Sequence, residues 1–154
     1  MGVARVPGGQ VKAERTVELS AAPKRVYDVV MDPQRLEDWV TIHHHLEEAP
    51  DGQLQKGSRL TQCLKLAGRK FKVRWTVVEN EPCTRVVWEG RGPIASQARV
   101  VYEFEPNAHG TRFSYANEYT LPGGALGRLA GRSVSRVTEK ELDGSLQRLK
   151  SLLE

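Results

Sequence analysis

Thr111-Arg112-Phe113-Ser114-Tyr115-Ala116-Asn117-Glu118-Tyr119, followed by Pro122-Gly123-Gly124 and an amphipathic run from about Ala125 to Leu153, decides how this chain is read. Side chains alternate across a strand, so Phe113, Tyr115, Asn117 and Tyr119 share one face. Arg112, Ser114, Ala116 and Glu118 take the other. In the run that follows, Leu126, Leu129, Ala130, Val134, Val137, Leu142, Leu146, Leu149 and Leu153 recur at helical spacing. Arg128, Arg132, Arg136 and Lys140 repeat every four residues on the opposite side. A sheet face lined with phenols and an amide, opposite a helix, predicts a pocket with polar handles.

The same alternation extends towards the N-terminus. Ala98, Val100, Tyr102 and Phe104 alternate with polar neighbours, and Asn107 to Gly110 supplies the hairpin turn. Val86 and Trp88 form one face of a shorter strand. Phe71, Val73, Trp75 and Val77 share a face, as do Leu60, Gln62, Leu64 and Leu66. Ala67-Gly68, Glu81-Pro82 and the loop Gly90-Arg91-Gly92-Pro93 separate these strands. A short strand falls within Thr41 to Glu48, and a first strand runs through Val11, Ala13, Arg15, Val17 and Leu19. Between those two, Pro23 opens one short helix and Asp32-Pro33 starts another that ends near Asp38-Trp39. The order is one strand, two short helices, six strands and one long helix. Short connections favour an antiparallel meander, and its apolar face needs a cover that only the last helix is long enough to provide. The expected class is α+β: a curved antiparallel sheet of about seven strands around a long helix.

The 154 residues suit one domain, spanning 10–154 behind a flexible leader, 1–9. Net charge is +4 and the pI about 9.2, but Lys and Arg are scattered and form no block. That pattern reads as solvated surface, and no nucleic-acid partner is expected. Cys63 lies in a strand and Cys83 beside Pro82 in a turn, so both are expected to be free thiols. No apolar run approaches ~18 residues and no signal-peptide core is present, so no membrane anchoring and a cytoplasmic location are expected. The charged outer face points to a monomer or weak dimer.

Several segments together resemble the START-like superfamily with its helix-grip fold, and within it the polyketide cyclase/dehydrase and lipid-transport branch. They are Val17 to Tyr27, Asp32-Pro33, Trp39, Gly57-Ser58, Trp75-Thr76-Val77, Glu81-Pro82, Trp88, Gly110 to Phe113 and the final helix. The segment Trp39 to His43 is also similar to actinobacterial members, some of which resemble toxins of toxin–antitoxin pairs. The resemblance implies a cavity between sheet and helix. The alternation supplies its lining: Gln62, Leu64, Phe71, Val73, Trp75, Trp88, Val100, Tyr102, Phe113, Tyr115, Asn117 and Tyr119. Leu126, Ala130 and Val134 face them from the helix.

Gln62 and Asn117 carry the strongest local signal, because an amide on an apolar face needs a partner, either a ligand or a neighbouring group. Tyr102, Tyr115 and Tyr119 are candidate donors. Arg15 either meets an anionic group or leaves its strand for solvent. His43-His44-His45 resembles a metal cluster, but regular alternation sends neighbours to opposite faces, so no metal site and no cofactor are expected. The leading reading is binding of a small hydrophobic molecule: a lipid, a polyketide or an aromatic metabolite. A polyketide aromatase/cyclase is the enzymatic alternative, although no poised base stands out. A toxin-like or other interaction protein is the third.

Overall fold

The computed structural model describes residues 10–66, 68–93, 95–120 and 125–154, with side chains of the last helix described from residue 136 onward. The order is β1 (Gln10–Leu19), α1 (Pro23–Val30), a 3-10 turn (Pro33–Arg35), α2 (Leu36–Trp39), β2 (His43–Glu48), β3 (Arg59–Leu66), β4 (Arg69–Glu81), β5 (Arg85–Arg91), β6 (Gln97–Asn107), β7 (Gly110–Thr120) and α3 (Ala125–Leu153). The seven strands form one antiparallel sheet in the order β1-β7-β6-β5-β4-β3-β2. Strands β2 to β7 are a meander, and β1 adds to β7 along ten residue pairs. The chain therefore crosses from one sheet edge to the other between β1 and β2. That crossing is made of α1 and α2, which the sequence places there.

Local chemistry fixes the ends. Pro23 occupies the first turn of α1. The Asp32 side chain accepts a hydrogen bond from the Gln34 amide at 3.0 Å and starts the 3-10 turn. The second short helix is thus a 3-10 turn followed by one α turn. Asn107 Oδ1 accepts from the amides of both His109 and Gly110 at 2.9 Å, closing the β6–β7 hairpin. One boundary differs from expectation: Gly90 and Arg91 belong to β5, not to a loop, because Gly90 is paired with both Trp75 and Ala98.

The core lies between the inner sheet face and the helices. Trp39 is fully buried at the end of α2 and meets the rings of Tyr102, Phe113 and Tyr115, with centroids 5.5 to 6.5 Å away. Leu142, Leu146, Leu149 and Leu153 are buried on one side of α3, which packs against β1 and α2. Cys63 and Cys83 are free, as expected. The leader, 1–9, lies outside the described residues. No described helix is long and apolar enough to cross a membrane.

Candidate functional site

The register stacks the inner-face residues into rows across the sheet. One row is Trp75, Gly90, Ala98, Tyr119 and Val11; the next is Val77, Trp88, Val100, Asn117 and Ala13. A third brings Val86, Tyr102 and Tyr115 to Arg15. Gly90 is what lets Trp75 lie flat across its neighbour: a Cβ there would sit 2.6 Å from Val73 Cγ1 and 2.7 Å from the Trp75 ring. Trp75, Trp88 and Tyr102 then pack edge to face in sequence, at 5.8 and 5.7 Å.

Of the expected lining, Gln62, Leu64, Val73, Trp75, Trp88, Val100, Tyr102, Phe113, Tyr115 and Asn117 are buried together on this face. Phe71 and Tyr119 are partly exposed nearer its rim. Leu126, Ala130 and Val134 fall in the part of α3 whose side chains lie outside the described residues, as does the Pro122–Gly124 break.

The polar members have different fates. Gln62 is engaged by the protein at both ends: its Oε1 accepts from Trp75 Nε1 at 2.9 Å, and its Nε2 donates to His43 Nδ1 at 2.8 Å. His43 thus points inward, and burial pushes its pKa down. Asn117 Nδ2 makes a long contact to the Tyr115 hydroxyl, at 3.4 Å. The Trp88 Nε1 donor is buried with no partner among the described residues. Arg15 does not enter the interior. Its Nε donates to Asp143 at 3.0 Å and Nη2 lies 3.8 Å from Glu139, so it ties β1 to α3.

A residue absent from the expected set completes the interior. Glu141 on α3 is 5 % exposed. Its Oε2 accepts from Ser145 Oγ at 2.6 Å and, more weakly, from Thr41 Oγ1 at 3.4 Å. Its Oε1 is buried without a partner among the described residues. Burial pushes the carboxyl up to about 7, against the pull of those two hydroxyls. The same carboxylate acts on three phenols across the interior. Burial raises the pKa of Tyr102, Tyr115 and Tyr119, and the charge of Glu141 adds to each rise. These tyrosines are therefore hydrogen-bond donors, not bases. Helical spacing held the signal: Thr138, Glu141 and Ser145 share the buried side of α3 with Leu142, Leu146 and Leu149. A reading confined to apolar positions passes over them.

The outer face is different in kind. A wide cleft of about 790 Å³ crosses it, bordered by Arg59, Arg74, Arg91, Arg99, Glu89 and Glu118 and reaching Leu60, Trp75, Gly90 and Ala98. Both charge signs are present there. The histidine run also departs from regular alternation. Register shifts on both sides of the His45–Leu46 pair place His43 and Leu46 inward and leave His44, His45 and Glu47 exposed. His44 and His45 consequently stand side by side.

Residues 10–154 match the family described as polyketide cyclase/dehydrase and lipid transport. Toxin Rv0910 of Mycobacterium tuberculosis is 23% identical over 136 residues, covering 88% of this chain and 93% of that protein. Among solved structures, TTHA0849 of Thermus thermophilus superposes with a TM-score of 0.75 at 21% identity, covering 94% of this chain and 96% of its own. The di-domain ARO/CYC StfQ of the steffimycin biosynthetic pathway gives 0.76 at 15% identity, covering 95% of this chain and 51% of its own. At these identities the superpositions speak to the fold.

Proposed function

The chain belongs to the polyketide cyclase/dehydrase and lipid-transport family, and from that membership and the chemistry of its interior we propose that it binds a small, largely apolar molecule carrying a hydroxyl or carbonyl group between the sheet and α3. The observation that carries this reading is Glu141 Oε1, a buried oxygen without a partner among the described residues, whose charge acts on three buried phenols. An orphaned buried polar atom costs roughly 1–3 kcal/mol, and a ligand hydroxyl relieves that cost. Trp88 Nε1 and the Asn117 amide offer donors to a carbonyl in the same interior. The aromatic rows take the apolar body. Burying about 300 Å² of it at about 25 cal/mol per Å² supplies several kcal/mol before association costs. Leu126, Ala130 and Val134 remain the proposed cover from the helix.

Native mass spectrometry of gently purified protein tests this, followed by denaturation and identification of any released molecule. The expected result is a stoichiometric hydrophobic adduct that Asn117→Leu or Trp75→Ala removes while the fold is retained. An adduct indifferent to both substitutions contradicts the site.

Glu141 also supports a second reading, an aromatase/cyclase. A carboxyl titrating near neutral pH suits general acid–base work. Its carboxylate would take an α-proton from a poly-β-keto chain while a tyrosine hydroxyl donates to the enolate oxygen. The enolate carbon would attack a second carbonyl, and the Glu141 acid would return its proton to the new alkoxide. Glu141→Gln then abolishes turnover and leaves binding within a few fold. The likeness to a protein named as a toxin supports a third reading, tested by growth arrest on expression, with and without Trp75→Ala.

A further inference from the structure

Two consecutive exposed histidines rarely face the same way in a strand, since regular alternation separates them. In β2 the register shift between His43 and His45 makes His44 the extra residue, so its ring joins that of His45 on the outer face. The rings meet edge to face with centroids 4.9 Å apart, and their Nδ1 atoms lie 2.6 Å from each other. His45 pairs directly across the ladder with Cys63 of β3. Cys63 is 5 % exposed, beneath the two imidazoles. One ligand atom from each of His44, His45 and Cys63 falls within 4.8 Å of the other two.

We propose that His44, His45 and Cys63 form a metal site for zinc or a similarly thiophilic divalent ion, on the outer face at the β2 edge and separate from the inner ligand space. A tetrahedral zinc site with Zn–N near 2.0 Å and Zn–S near 2.3 Å holds its ligand atoms about 3.5 Å apart. Exposed histidine side chains reach that spacing by rotation about χ1 and χ2, with the thiol fixed beneath them. Nitrogen and sulfur donors together select borderline and soft ions over magnesium or calcium. The surroundings supply the orienting group that metal-bound histidines use. His45 Nε2 lies 3.4 Å from Glu47 Oε2, which leaves Nδ1 for the ion. Lys72 holds Glu47 in place at 3.0 Å. Binding releases the thiol proton to solvent, while the proton between the two imidazoles moves to His44 Nε2, so that both rings stay neutral with Nδ1 on the ion; a water takes the fourth position. The ion joins an edge strand to its neighbour two residues from His43, whose Nδ1 is bound to Gln62 of the inner lining.

The test uses untagged full-length protein, stripped with a chelator and titrated with zinc, and with cobalt(II) as a spectroscopic probe. The expected result is one tightly bound equivalent, a thiolate-to-cobalt charge-transfer band and a zinc-dependent rise in Tm. Cys63→Ser, a near-isosteric change, removes the band and weakens zinc at least tenfold. His44→Ala and His45→Ala each weaken it similarly, and His43→Ala leaves the stoichiometry at one. Absence of a saturable equivalent in the folded wild type overturns the proposal. So does cobalt binding without a thiolate band, or zinc affinity unchanged in both Cys63→Ser and His44→Ala.

Discussion

The two faces of the sheet are built from the same strands and solve opposite problems. The inner face removes aromatic area from water and keeps its polar groups few: Gln62 is engaged at both ends by Trp75 and His43, whereas Glu141, Trp39 and Trp88 are left, among the described residues, with unmet capacity. The outer face is a lattice of charges in which Arg85 reaches Glu79 and Glu103, and Arg112 reaches Glu18 and Glu105. Charges in water contribute little each, while a single unpaired atom in the interior matters a great deal. Strand β2 shows both regimes within three residues, with His43 tied inward and His44 and His45 outward. Chemistry concentrates accordingly in the interior at the unsatisfied atom, and on the surface at the cluster that breaks the alternation.

Substitutions on the two faces should therefore diverge, and the largest effect is expected in the core. Trp39→Ala removes a fully buried ring packed on three others and is expected to cost about 3–5 kcal/mol in urea denaturation. Next comes Glu141→Gln, which should stabilise the protein. The folded carboxyl titrates near 7 and its unperturbed value is 4.5, so the native state binds the extra proton between those values. Stability contributed at this site is present below pH 4.5 and lost as pH rises through 7, a change of about 3 kcal/mol. The glutamine variant should be more stable than wild type at pH 8 by about 1–3 kcal/mol, with the gap narrowing at pH 5, as read by paired denaturation curves. Gly90→Ala pushes a methyl against Val73 and Trp75 and should cost about 1–3 kcal/mol, with a change in tryptophan fluorescence. Arg85→Ala on the outer face should change stability by less than about 1 kcal/mol, and less still in high salt. If Arg85→Ala were to outweigh Gly90→Ala, the contrast between the faces would fail.

The strands were legible because their alternation is clean, and the register follows once Ala67-Gly68 and Asn107 to Gly110 are read as turns. Which strand residues share the inner face was legible for the same reason. Glu141 was not, because a search for apolar helical spacing skips a carboxylate even where Thr138, Ser145 and three leucines share its side of α3. The histidine pair was hidden by another cause. A bulge in β2 carries no glycine or turn residue to announce it, so sequence alternation assigns His44 and His45 to opposite faces and separates one of them from Cys63. Gln62 shows the limit of a correct placement: it lies inside as expected, but its hydrogen bonds depend on a tryptophan thirteen residues away and a histidine nineteen away. Arg15 was ambiguous in sequence because its acidic partners come from a helix more than a hundred residues later.

The most direct test is a carbon-detected NMR titration of the glutamate carboxyls, with Glu141→Gln used to assign the resonance. One carboxyl is expected to titrate near pH 7, to vanish in the glutamine variant, and to shift when the molecule identified by native mass spectrometry is added. A Glu141 carboxyl titrating at 4 to 5, indifferent to that molecule, would contradict that expectation.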